Sequence, residues 1–220
     1  MTASLEPSAS YLVRRAGLVD VTHAARLLEV SAPALDIDGD GTVDGPPDPQ
    51  VAAVVTRLAL SHLVLQQGKL WVAERDGVLQ AATVWMPRHE VRLGAVGLSE
   101  GLRETVRLEL DAATVHAALD PGEDVREALG AAETTVADML SRVAPDVVLT
   151  TLAVVPDLGP HERADILQAC ITAALEETDG VAAAMTLLTE HVAVLEASGF
   201  VRVAEVTVGA GHRLWVGTSR

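Results

Sequence analysis

Aromatic residues are too few in this chain to build a core around rings: Trp71, Trp85, Trp215, Tyr11 and Phe200 are all that its 220 residues contain. With 49% of residues apolar, the core has to be made of valine, leucine and alanine. Cysteine is nearly absent as well. Cys170 stands alone, which excludes an intramolecular disulfide and makes the reducing cytoplasm the simplest home. Lysine occurs once, at Lys69, so arginine carries almost all the positive charge. Acids outnumber it, and the net charge is −15. That balance argues against nucleic acid as a main partner and against anionic membranes. A small cationic or amine substrate suits the field better. No stretch reaches the roughly 20 uninterrupted apolar residues of a membrane span. The most apolar window, "VAAVVTRLALSHLVLQ", is broken by Arg57 and His62 and reads as a core helix. The opening "MTASLEPSAS" has neither the charged start nor the apolar run of a signal peptide. Residues 1–10 are expected to be disordered and 11–220 to form one domain.

What is present is an alternation of strand and helix patterns. "YLVRRA" reads as a strand, followed by a helix over about 19–30 with apolar residues three and four apart. An acidic, turn-rich loop leads to a second helix over about 49–67, stopped by Gly68. "KLWVAERDGVLQAATVWMP" is a hairpin closed by Asp76-Gly77, the dipeptide of a type I′ turn. Helices are expected over 90–119 and 122–143. A strand (147–155), a helix (160–177), a strand (181–187), a short helix (190–197) and two final strands complete the order. The fold class is α/β, with a mixed, mostly antiparallel sheet flanked by helices.

Three local patterns sharpen this. "GKLWVA" closes into Val84-Trp85, "TLAVVPD" leaves a buried strand at Pro156-Asp157, and "LEASGF" ends a short helix at Gly199-Phe200. With the element order, they resemble the GNAT superfamily of acyl-CoA-dependent N-acyltransferases. The resemblance implies acyl transfer from acetyl-CoA to a small amine by direct attack, without a metal or a covalent intermediate. It places Leu152 and Val154 where the strand backbone bonds the pantetheine arm. His161, Arg163 and Ala164 fall in the loop that holds the pyrophosphate, and His191 falls where the family has an asparagine. The chain departs from the family's pattern in that loop. Pro160 removes an N–H donor, and Glu162 and Asp165 bring carboxylates toward the pyrophosphate position. Leu195 stands where a tyrosine often serves as the acid. Two readings stay open at "VVPDLGPHERADIL": a weakened phosphate cradle, or a helix start with Pro160 at N1 and Glu162 in the first turn. The corresponding rival function is a degenerate binding or dimerisation module, and the sequence leaves a homodimer open.

His191 is the expected base or substitute acid, set against an ordinary polar residue in a helix's first turn. Cys170, on the apolar face of a helix, is expected to be inert. "DIDGDGTVD" places Asp36, Asp38, Asp40 and Asp44 at positions 1, 3, 5 and 9 of an EF-hand-like loop, with Gly41 at position 6. Position 12, normally a bidentate glutamate, is Pro47. Any calcium site there is expected to be weak, and the loop without a cation to be mobile.

Overall fold

The computed structural model describes residues 11–45, 48–67, 70–91 and 122–219. The expectations for the first ten residues, for Pro47, for Gly68 as a helix stop and for nearly all of a helix over 90–119 lie outside them. The described strands are β1 (Leu12–Arg15), β2 (Leu70–Arg75), β3 (Val78–Pro87), β4 (Val147–Val154), β5 (Ala182–Thr186), β6 (Phe200–Val208) and β7 (His212–Ser219). They form one sheet in the order β1-β2-β3-β4-β5-β7-β6. Every pairing is antiparallel except β4 with β5. The described helices are α1 (Val21–Val30), α2 (Pro49–Gln67), α3 (Glu123–Val143), α4 (Pro160–Glu176) and α5 (Thr189–Ala197).

The local chemistry explains the boundaries. Asp76 and Gly77 both have positive φ, 53° and 75°, as a type I′ turn requires. Asp48 caps α2: its carboxylate accepts the N–H groups of Gln50 and Val51 at 2.9 and 3.1 Å, with Pro49 at the first helical position. On α4 the buried residues Ile166, Leu167, Cys170, Ile171 and Ala174 repeat at helical spacing and form a single stripe. Cys170 is part of that stripe, and burial pushes its thiol up to about 12, so it is inert at neutral pH.

Neighbouring strand residues divide the core by face. Trp71, Ala73, Trp85 and Leu149 pack with α4 and α5 on one face. Val72 and Ala82 meet α1 and α2 on the other, and Val148, Val206 and Leu214 meet α3 on that same other face. In β4 this alternation slips by one. Val147 and Leu149 lie on the α4 side, but so do Leu152 and Val154. The cause is a β-bulge: Val84 pairs with Thr151 and Trp85 with Leu149, which leaves Thr150 as an extra residue. Pairing of β4 with β5 ends at the same place, covering only Val147–Leu149. Beyond the bulge the two parallel strands part.

Helix α3 ends on Ala144 in the left-handed conformation, φ 50° and ψ 49°. A Cβ there costs roughly 1–2 kcal/mol, which glycine avoids. Part of that gain is offset by the greater freedom of glycine in the unfolded chain. Ala144→Gly should therefore stabilise the fold by about 0.5–1 kcal/mol, seen as a raised midpoint in urea. A drop would mean that the Ala144 methyl contributes packing that outweighs its backbone strain.

Candidate functional site

The parting of β4 from β5 opens a cleft lined by strand backbone. The N–H of Val155 bonds the carbonyl of Gln80 at 2.9 Å, so that pair is hydrogen-bonded across β3 and β4. Hydrogen-bonded and open pairs alternate along an antiparallel ladder. The pairs Ala81 with Val154 and Thr83 with Leu152 are therefore open ones, and the N–H and C=O groups of Val154 and Leu152 point away from β3. They point toward β5, which no longer pairs there. The backbone of both residues thus faces the gap, while their side chains are buried toward α4. At Val154 the gap is not empty: the Ser31 hydroxyl reaches both backbone groups from the end of α1, at 3.3 Å from N and 3.1 Å from O.

The cavity over this gap holds about 1160 Å³. Helices α1 and α2 wall one side, Val125 and Leu129 of α3 and Met185 of β5 complete an apolar lining, and Leu152 adds its backbone. Polar residues from several elements also line it, and Thr150, Thr151, Thr186 and His191 do so where the strands diverge. Charged side chains of Arg26, Glu29 and Arg57 lie at its exposed edge. This balance of apolar wall and convergent polar groups is typical of small-molecule sites.

His191 enters the cavity from the first turn of α5 and is 7% exposed. Its Nδ1 lies 3.4 Å from Thr186 Oγ1, which accepts the Leu188 N–H at 3.1 Å. Burial pulls the imidazole below its ordinary value. Glu190 works against that shift and Arg163 adds to it. The ring is therefore neutral at pH 7. In the tautomer whose Nδ1–H donates to Thr186 Oγ1, Nε2 carries the lone pair that can accept a proton.

The start of α4 corrects the sequence reading on one point. Glu162 does not face the anion position. Its carboxylate accepts the Tyr11 hydroxyl at 2.6 Å and forms an ion pair with Arg75 at the end of β2. The Tyr11 and Arg75 bonds hold it below the usual carboxylate range. The guanidinium of Arg75 also covers the Tyr11 ring at 4.5 Å. This leaves the first-turn N–H groups of His161 and Glu162 without helical acceptors, as at any helix start, while Arg163 N already bonds the Gly159 carbonyl at 2.9 Å. His161 is exposed, and Arg163 is half-buried with its guanidinium 3.9 Å from Glu190. Ala164 is half-buried in the second turn of α4, and its side chain packs against the core. Asp165 is exposed one turn along.

Leu195 is fully buried between α4 and the sheet, so no side chain at that position faces the cleft without repacking the core. Tyr11, the sole tyrosine, is committed to Glu162 and Arg75. Ser31 and Thr186 escaped notice in the sequence. Ser31 carries no local signal, since its partner is 123 residues away. Thr186 could have been suspected from its place at the end of β5, five residues before His191.

The carboxylates of the acidic loop accept hydrogen bonds from the loop's own backbone. Asp36 accepts the N–H groups of Gly39 and Gly41, Asp38 that of Asp40, and Asp40 that of Thr42. The loop is pinned to the β6–β7 turn through Ala210 N to Ile37 O and His212 Nε2 to Asp36 O. The carboxylates of Asp36, Asp38 and Asp40 come within 4.8 Å of one another. The Asp40 N–H bond lowers the Asp38 carboxyl. Desolvation and the charges of Asp40, Asp44 and Asp36 outweigh it, and the group titrates high. Asp44 does not join them, because its carboxylate accepts the Ile37 N–H at 2.6 Å. Without a twelfth-position glutamate, a calcium ion on these three carboxylates would need backbone carbonyls and water to complete its six to eight oxygens, so any site there is expected to be weak.

No protein-family model and no curated protein sequence matches the chain. Solved structures do. A mosquito arylalkylamine N-acetyltransferase like 5b is similar with a TM-score of 0.58 at 15% identity, over 96% of this chain and 99% of that one. A Drosophila melanogaster polyamine N-acetyltransferase, an enzyme that forms N-acetylagmatine, is similar at 0.57 and 16%, over 95% and 99%. An N-acetyltransferase from Staphylococcus aureus Mu50 is similar at 0.56 and 12%, over 94% and 99%. Among the described residues no helix is long and apolar enough to cross a membrane. The sheet order, the parting of β4 from β5 and these likenesses identify the architecture: the chain has the GNAT fold.

Proposed function

We propose that the protein transfers an acyl group from acetyl-CoA to a small amine by direct attack, with His191 as the base. The observation that carries this reading is the convergence, at one gap, of the open backbone of Leu152 and a buried, neutral imidazole. The residues present fit the donor. Leu152 offers an N–H and a C=O for an amide-bearing arm, and the first-turn N–H groups of α4, with His161 and Arg163 beside them, suit a pyrophosphate. Acetyl-CoA would supply a reactive thioester. The chain's own contribution is to orient it, to exclude water with apolar walls, and to accept the proton of the amine at His191 Nε2. With Leu195 in the core and Tyr11 committed elsewhere, no tyrosine among the described residues is placed to protonate a leaving thiolate. Two similar folds belong to enzymes named for arylalkylamines and polyamines, which supports an amine acceptor. The mostly apolar lining favours an amine on an apolar body over a chain of charges.

The rival reading, a module that has lost the reaction, draws on Pro160 and on the occupied backbone of Val154. Calorimetric titration with acetyl-CoA separates the two. Saturable one-to-one binding is expected, followed by thiol release when a panel of primary amines is added. Because the Glu162 carboxylate is turned to Tyr11 and Arg75, Glu162→Gly should leave the affinity within about two-fold while lowering thermal stability. Absence of any binding heat or thiol release would favour the module.

A further inference from the structure

Ser31 follows the last residue of α1 and lies half-buried against the cleft. Its hydroxyl accepts the Val154 N–H and donates to the Val154 carbonyl, so a single oxygen satisfies both groups. A secondary amide is the other common group that can donate and accept together along a strand edge. Leu152, two residues earlier and in the same phase of the ladder, shows the same pair of groups to the cleft. Ser31 is also at a yielding place. It closes α1 through its own N–H to Leu27 O at 3.0 Å, and the next residues, Ala32 and Pro33, are exposed and line the same cavity. Ends of helices open at low cost.

We infer that Ser31 is a displaceable stand-in for a ligand amide on the open edge of β4. The inference rests on the acetyl-CoA reading above. An amide-bearing ligand takes Leu152 directly, but it reaches Val154 only by displacing the Ser31 hydroxyl and moving the end of α1 outward. Binding of the acyl donor thereby reshapes the α1 wall of the cavity, where the amine has to sit. The exchange of one bonded pair for another also sets the affinity of the wild-type protein below that of a cleft with an uncovered Val154.

Calorimetric titration with acetyl-CoA of the wild type, Ser31→Ala and Ser31→Thr tests this, with backbone amide exchange at Val154 read in the free proteins. Ser31→Ala should bind roughly three- to ten-fold more tightly. Its Val154 amide should exchange faster than in the wild type. Ser31→Thr keeps the hydroxyl and should match the wild type in both readouts. Ser31→Gly should move both in the same direction as alanine, and it serves if alanine disturbs the fold. Unchanged or weaker binding by both Ser31→Ala and Ser31→Gly, with the wild type binding, overturns the stand-in and leaves the acetyl-CoA reading intact. If no protein in the set binds acetyl-CoA, the reading fails and the stand-in with it.

Discussion

Replacing His191 by alanine should lower kcat for amine acetylation by about 10²–10⁴, the range expected for loss of a positioned general base. The acetyl-CoA affinity should stay close to wild type, since His191 lies past the open edge of β4. His191→Gln fills much of the same space with a group that cannot accept the proton, and it should be equally inactive. If either variant keeps full activity, His191 is a core histidine and the base lies elsewhere. The pH dependence gives a second check. Burial depresses the folded-state value of His191 below the 6.5 of an unperturbed imidazole. The rate should therefore hold through pH 6.5 and fall only on the acid side of it. Stability carries the corresponding signature. Between the folded and unfolded values the unfolded chain binds more protons, so stability falls as pH drops from 6.5 toward the folded value and levels off below it. His191→Gln should remove that part of the slope.

Trp85→Ala should cost about 3–5 kcal/mol, close to the whole stability of a marginal domain. Trp85 is 2% exposed and sits beside Leu149 at the bulge, in the core beneath α4. Its Nε1 donates to Thr83 Oγ1 at 3.0 Å, and Thr83 is itself fully buried. Truncation leaves a large void and a buried hydroxyl without its donor, which adds about 1 kcal/mol or more. Trp71, Phe200 and Trp215 share the cluster, and how far they turn into the space sets where in that range the loss falls. Trp85→Phe should cost less, because most of the volume survives. Urea denaturation reads both. A loss below about 1.5 kcal/mol for alanine would show that the valine and leucine side chains collapse into the gap more readily than a rigid core allows.

The parts of the fold that were legible in the sequence are those whose cause is local. Asp76-Gly77 dictates its turn by the φ values its residues tolerate, and Gly159-Pro160 starts a helix because proline fits the first turn. The apolar stripe of α4 is likewise written at helical spacing. The backbone exposure of Leu152 and Val154 was reachable only through the resemblance. What the sequence hid is side-chain direction and long-range pairing. Glu162 reads as an obstacle to a phosphate because nothing nearby shows that Tyr11 and Arg75, 151 and 87 residues away, draw it aside. Leu195 reads as a vacancy in the chemistry until packing shows that its position faces the core. The acidic loop reads only as a cluster of repelling charges because the backbone N–H groups that its carboxylates accept cannot be assigned from residue types.

The extra residue at Thr150 has a consequence for what this cleft can survive. The groups offered along the open edge of β4 belong to the main chain, so substitution of Leu152 or Val154 by another apolar residue of similar size leaves them in place. Chain length is a different matter. Removing one residue between Leu149 and Leu152 would leave Leu152 and Val154 on the α4 side and in register with β3, but it would take out the bulge at which β4 stops pairing with β5. The binding edge is therefore indifferent to spelling and strict about counting: lineages of this protein can change the letters of β4 freely within their size class, but a single deletion there would erase the gap.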